Sequence, residues 1–218
     1  ADCAVSGDDT TVGFVGNLLN GTLQQCYSAG KVAGTRYAGG FAGNCVYAVL
    51  GQSGAAGDVT GQQYTGGMFG IAGSGAISDC FAEGTVIGTE YVGGFAGAVQ
   101  VSGWTQSCYE DWDLKYGWIC YSVPISGTMA RCYAAGQVTG SAVTGGFCGA
   151  WKEITLDGLF WDRTASGTDI SAAGTGLATE QMSQAETFTA AGWDFSVIWG
   201  IDEGISYPYL RWMTDDGK

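Results

Sequence analysis

A short glycine-rich motif occurs five times, the first four copies at a fixed spacing, and that spacing limits the chain to very few architectures. Gly-Gly-Phe-Ala-Gly stands at 39–43 and 93–97, with variants Val-Gly-Phe-Val-Gly at 12–16, Gly-Gly-Met-Phe-Gly at 66–70 and Gly-Gly-Phe-Cys-Gly at 145–149. Their large residues, Phe14, Phe41, Met68 and Phe95, lie 27 apart, and Phe147 follows after 52, room for one irregular unit placed at Tyr116-Gly117-Trp118-Ile119-Cys120. Other columns keep the same phase. Cys26-Tyr27, Cys80-Phe81, Cys108-Tyr109, Cys132-Tyr133 and Leu159-Phe160 form one. Val32, Val59, Val86 and Val138 form another, as do Tyr37, Tyr64 and Tyr91, and Leu23, Leu50 and Ile77.

A unit of this length cannot bury its own apolar face, whereas stacked units share one continuous core. The units carry short aromatic and β-branched runs broken by glycine, so they read as strands. Successive coils pair as parallel strands about 4.8 Å apart, placing like on like in ladders. The expected fold is therefore all-β: a right-handed parallel β-helix, or β-solenoid, of six to seven ~27-residue coils with a C-terminal cap. Paired glycines are expected at corners where a Cβ would clash or φ must be positive. The aromatic columns are expected inside the coil, because they run in phase with Val and Leu columns; an exposed stacking face for sugars is the alternative.

Composition narrows the functional classes. The 39 glycines lack a collagen period, and 46% apolar residues are enough for a core. Net charge is −13, with 8 basic residues against 21 acidic ones, which disfavours nucleic acid and anionic membrane as partners. No apolar run reaches a membrane-spanning length of about 18–20 residues, so direct membrane insertion is not expected. The absence of histidine removes Ser-His-Asp and Cys-His catalysis, and no phosphate-binding glycine loop is present. No cofactor and no metal are expected.

The segments Cys-Tyr-Ala-Ala-Gly-Gln-Val-Thr-Gly at 132–140 and Gly-Gly-Phe-Cys-Gly at 145–149, with their equivalents at 26–43 and 80–97, resemble the GLUG repeat family. Phe160-Trp161-Asp162, Gly174-Thr175-Gly176-Leu177, Gln181-Met182, Trp193-Asp194-Phe195 and Ser206-Tyr207-Pro208-Tyr209-Leu210 resemble the segment that often closes arrays of these repeats. The resemblance covers nearly the whole chain. It implies a bacterial or archaeal surface β-helix of the filamentous-haemagglutinin-like kind, in which the repeats are scaffold.

Two domains are expected: a solenoid at 1–159 and an aromatic-rich cap at 160–218, which holds Trp161, Trp193, Trp199 and Trp212. Within the cap, Thr179 is the expected N-cap of a short helix and Gly192 the end of a turn. The N-terminal end has no comparable cap, so its first coil is expected to present open strand edges to another subunit.

The eight cysteines, without a Cys-x-x-Cys pair, are expected to form disulfides in an oxidising compartment. The candidates are Cys3, Cys26, Cys45, Cys80, Cys108, Cys120, Cys132 and Cys148; Cys26 faces Ser53, Cys80, Cys108 and Cys132 share a column, and Cys120–Cys148 is the favoured pair. Asn20-Gly21-Thr22 is an N-glycosylation sequon. One cluster departs from the repeat: Tyr109, Glu110, Asp111, Trp112, Asp113, Tyr116 and Trp118 interleave acids with aromatics, a pattern suited to a sugar or a cation.

The functional expectation is a non-enzymatic, secreted, extracellular or cell-surface structural protein whose principal partner is itself, end to end. The alternative is an adhesin binding cell-surface glycans or other surface proteins. A polysaccharide lyase or hydrolase is the distant third, because the acids scatter across columns instead of gathering on one face.

Overall fold

The computed structural model describes residues 4–100, 104–110, 118–124 and 126–214. Strands dominate it, and nearly all of them pair in parallel, an arrangement consistent with a β-solenoid. Three sheets hold five strands each. In sheet I, Val5–Ser6, Val32–Ala33, Val59–Thr60, Val86–Ile87 and Val138–Thr139 lie side by side. Sheet II stacks Thr10–Val12, Tyr37–Gly39, Tyr64–Gly66, Tyr91–Gly93 and Val143–Gly145. Sheet III stacks Val15–Leu19, Ala42–Val46, Phe69–Ala72, Ala96–Gln100 and Cys148–Lys152. The eight-stranded sheet IV is built on Gly75–Ala82, Gly127–Ala134 and Thr155–Asp162, and ends at Thr175–Leu177.

The register follows the repeat: Val5 pairs with Val32, Val32 with Val59 and Val59 with Val86. At the longer interval the structure corrects the expectation of an irregular coil. Val86 pairs directly with Val138, and Cys80 with Cys132, so no coil lies between them. Residues 104–110 and 118–124 instead pair with each other as an antiparallel hairpin. These two strands stand outside the stack, because coil continues directly onto coil.

The core is a set of ladders. Phe41, Met68, Phe95 and Phe147 are each 0% exposed, with Phe95 and Phe147 stacked at 4.8 Å. Leu50, Ile77 and Met129 form a second ladder, and Val59, Val86 and Val92 fill the opposite side. The paired glycines make this possible by sterics alone. A Cβ on Gly40, Gly67 or Gly94 would collide with the backbone carbonyl of the next coil, and none of the three has positive φ.

Two aromatic columns lie outside this core, against expectation. Tyr37, Tyr64 and Tyr91 stack at 5.5 and 5.0 Å but remain half-exposed on sheet II. Tyr27, Phe81, Tyr133 and Phe160 project from sheet IV, because each follows an inward residue of the same strand. The C-terminal segment covers most of that second column. Met182, Phe188, Trp193, Trp199 and Leu210 pack on Phe81, Tyr133 and Phe160 as a second core. The segment therefore runs along the side of the stack, reaching Gln52, whose carbonyl accepts from Trp212 Nε1 at 2.9 Å.

Local rules shape this segment. Thr179–Met182 is helical, but its N-cap is Ala178, whose N–H donates to Gln181 Oε1, and not Thr179. Gly192 closes the turn after Ala185–Thr189 with φ +76°, as its position indicates. The strand Thr155–Asp162 runs continuously across position 159, where the repeat pattern stops.

Phe95 is enclosed by the coils on both sides. Phe95→Ala is expected to lower stability by about 3–5 kcal/mol in a urea titration followed by tryptophan fluorescence.

Candidate functional site

The two ends of the stack differ. At the N-terminal end the Phe14 ring stacks on Phe41 at 4.9 Å, yet Phe14 is 51% exposed while Phe41 is fully buried. Val15, Leu23 and Cys26 are only partly buried there, whereas Leu50 and Ser53, one coil further in, are 0% exposed. The strands of this first coil are terminal in their sheets, so one row of backbone groups on each faces outward.

The other end is partly closed. Residues 168–177 cross it: Ile170 O accepts from Gly146 N at 2.9 Å, and Ser171 Oγ accepts from Phe147 N and Cys148 N at 3.1 and 3.0 Å. Over sheets I and II, however, Val138–Thr139 and Val143–Gly145 remain terminal strands. Both ends of these two sheets therefore offer pairing edges.

A second feature joins the side of the stack to the C-terminal segment. Gln25, Gln52, Asp79, Arg131 and Gly158 occupy one column, all with left-handed backbone of φ +47° to +57°. The kink breaks alternation, so that residues three apart, such as Leu50 and Ser53, both point into the core. Four of the five carry a side chain, at a cost of about 1–2 kcal/mol each for an L-residue in this region. Side-chain bonds offset that cost. Gln25 Nε2 donates to Gln52 Oε1 at 3.3 Å, and Arg131 donates from Nε and Nη2 to both Asp79 oxygens at 2.8 and 2.9 Å. The Asp79 carboxylate, 3% exposed, also accepts from Trp199 Nε1 at 3.3 Å, and Gly158 O accepts from Trp193 Nε1 at 3.1 Å. Sequence reasoning missed this column, although a polar residue directly precedes Cys26, Ser53, Cys80 and Cys132.

The third cluster lies beside Phe81. Tyr133 Oη is 2.6 Å from Glu83 Oε1 and 2.8 Å from Pro208 O, and Tyr207 donates to Asp162 Oδ2 at 2.8 Å. Burial pushes the Glu83 carboxyl above its usual range. Burial, with the Asp162 carboxylate alongside, raises the Tyr207 phenol. An open cleft of about 470 Å³ separates this cluster from Ile205 and Met213.

The expected ligand patch fares differently. Tyr109, Glu110 and Trp118 lie in the strands of the antiparallel hairpin, where Tyr109 is opposite Ile119 and Glu110 opposite Trp118. Asp111, Trp112, Asp113 and Tyr116 lie outside the described residues, as does Cys3. Asn20 is exposed at a corner with φ +52°, a position accessible to modification.

The disulfide expectation is corrected for the described thiols. Cys26, Cys45, Cys80, Cys132 and Cys148 are free. Cys26 N does face Ser53 Oγ, at 3.2 Å. Cys80 and Cys132 share a column, but Cys108 does not; it pairs with Cys120 across the hairpin. Cys148 pairs with Ala96 and is not beside Cys120, because the hairpin is no part of the stack. The Cys80 and Cys132 thiols donate to the carbonyls of Ser78 and Ala130, at 3.1 and 3.2 Å. Burial pushes Cys45 and Cys148 up to about 12, which leaves neither a reactive thiolate at neutral pH.

No protein-family model and no solved structure matches the chain. A protein of Evansella cellulosilytica named "Putative Gly-rich membrane protein" is 35% identical over 103 residues, covering 42% of this chain. The chain spans 12% of that protein's length. Among the described residues no helix is long and apolar enough to cross a membrane, and no three His, Cys, Asp or Glu converge as metal ligands.

Arg131→Ala leaves the Asp79 carboxylate buried without its cation. It is expected to destabilise by about 3–5 kcal/mol and to speed protease cleavage within 185–214 ahead of cleavage in the stack. Cys45, Cys80, Cys132 and Cys148 are expected to resist alkylation in the native protein and to react fully in denaturant, as read by peptide mass spectrometry.

Proposed function

We propose that the chain is an extracellular structural protein, a right-handed β-solenoid whose copies add end to end into surface filaments or matrix. One observation carries this reading: the Phe14 ring is half-exposed on top of an otherwise fully buried ladder, within a ring of unpaired strand edges. Burying such a face removes apolar area from water and satisfies backbone groups together.

The geometry favours head-to-tail addition. Sheets I and II carry terminal strands at both ends, so Val5–Ser6 and Thr10–Val12 of one copy continue the register beyond Val138–Thr139 and Val143–Gly145 of another. A heterologous contact of this kind does not close, and it therefore propagates. The GLUG resemblance supports a repeat scaffold at a cell surface. Residues 178–214 serve in this reading as a lateral brace and residues 168–177 as a partial cap.

A second reading, a glycan-binding adhesin, rests on Tyr37, Tyr64 and Tyr91. They place a row of half-exposed phenols at a 5.0–5.5 Å spacing along sheet II, suited to a polymer of similar repeat.

Negative-stain electron microscopy across protein concentration distinguishes the two. Fibres are expected, more abundant at higher ionic strength because salt screens repulsion between copies of net charge −13. Phe14→Asp is expected to abolish them without unfolding the coil. Uniform single particles at every concentration and salt would overturn assembly, and a glycan array comparing the protein with Tyr64→Ala would then test adhesion.

A further inference from the structure

The Tyr133 hydroxyl faces two acceptors with one proton. Glu83 Oε1 stands 2.6 Å away and Pro208 O 2.8 Å away. A peptide carbonyl only accepts, an ionised carboxylate only accepts, and a phenol has a single hydrogen to donate. With Glu83 ionised, one of these two close contacts has no hydrogen in it. A single arrangement satisfies both: neutral Glu83 donates to Tyr133 Oη, and Tyr133 donates to Pro208 O.

The surroundings fit a neutral carboxyl. Tyr27 from two strands away across Gly54, Tyr133 from the adjacent strand on the other side, and Tyr207 from the C-terminal segment are the titratable groups that face Glu83. No Lys or Arg pairs with it among the described residues. The nearby Asp162 has two donors of its own, the Tyr207 hydroxyl at 2.8 Å and the Ala165 N–H at 2.9 Å. The proton deficit therefore belongs to Glu83.

We infer that Glu83 and Tyr133 form a pH latch for the C-terminal segment: protonated Glu83 lets Tyr133 hold Pro208, and ionised Glu83 claims the Tyr133 proton and releases it. The released stretch is the one that walls the cleft beside Tyr27, Phe81 and Tyr133. Ionisation therefore loosens the wall of that cleft beside the Phe81 and Tyr133 rings, which stack at 5.6 Å.

The direction follows from burial, which raises the folded-state pKa of Glu83 above its unfolded value. The contribution of the latch is complete below the ordinary glutamate value of about 4.3 and disappears as pH climbs through the raised folded value. Acid closes the latch, and alkali opens it.

Hydrogen–deuterium exchange of the full chain, corrected for the intrinsic pH dependence of exchange, tests this between about pH 4 and about pH 9. Amides of 205–212 are expected to exchange about tenfold faster at the alkaline end, the effect of losing one hydrogen bond, while 92–99 stay unchanged. Glu83→Gln, whose amide donates at every pH, is expected to keep the segment protected throughout. Tyr133→Phe is expected to leave it fast throughout. A flat wild-type profile, or a Glu83→Gln profile that titrates like wild type, would overturn the latch. Should Glu83→Gln fail to fold, carboxyl carbon NMR of Glu83 in the wild-type protein decides: an ordinary titration near pH 4 rejects the proposal, and a raised one supports it.

Discussion

The in-register parallel pairing of one coil on the next underlies every other feature of this protein. Strands of a middle coil bond to the coil before and the coil after, so a residue sits on its own counterpart, 27 residues away except across the insertion. Once that register exists, like stacks on like: Phe on Phe inside, Val on Val, Tyr on Tyr outside. The Gly-Gly pairs are the steric condition for it, since they stand where a side chain would meet the backbone of the adjacent coil. The hairpin formed by 104–110 and 118–124 shows how strongly the register governs. The chain carries a long insertion there, yet Cys80 still meets Cys132 and Val86 still meets Val138.

Stacking leaves two problems at the boundaries. A coil with no neighbour exposes edges and core, and the chain treats its two ends differently. Residues 168–177 bond to the last coil over part of its face, while Phe14 and the first strands meet no equivalent among the described residues. The asymmetry supports polar, end-to-end growth. The second boundary is lateral. Sheet IV projects Phe81, Tyr133 and Phe160 away from the core, and the C-terminal tryptophans bury them in a second core of the protein's own. Buried polar groups fix that docking in one place: Asp79 with Arg131 and Trp199, and Tyr133 with Glu83 and Pro208. Such contacts tie the brace to titratable groups, which makes the side of the stack responsive to pH while the ladders inside are not.

The stack was legible in residue spacing because it is periodic: Phe14 to Phe95 and Val32 to Val86 predict their own partners. The side of the stack was not. Tyr27 and Phe81 run in phase with Val and Leu columns, and phase alone does not tell an inward column from an outward one. A left-handed residue before each Cys26-type position shifts the alternation, and that kink is visible only in the backbone angles of Gln25, Gln52, Asp79 and Arg131. The cysteines misled for a related reason. Their spacing placed Cys108 in the column of Cys80, but the hairpin carries it out of the stack. Tyr109, Glu110 and Trp118 of the expected ligand cluster belong to that same hairpin, so periodicity offers nothing to position them.

Sequence by itself determined the repeat length, the strand character, and the contents of the interior Phe, Leu and Val ladders. All of these follow from one-dimensional order, because each coil contacts chiefly its neighbours. Only the tertiary structure decided that 104–110 and 118–124 pair with each other outside the stack, that Cys26, Cys45, Cys80, Cys132 and Cys148 are free thiols, and that the C-terminal segment lies along the side. Those outcomes depend on contacts between residues with no periodic relation, such as Asp79 with Trp199 and Gln52 with Trp212. Their partners are chosen by shape and hydrogen-bond geometry in three dimensions, which spacing along the chain does not encode.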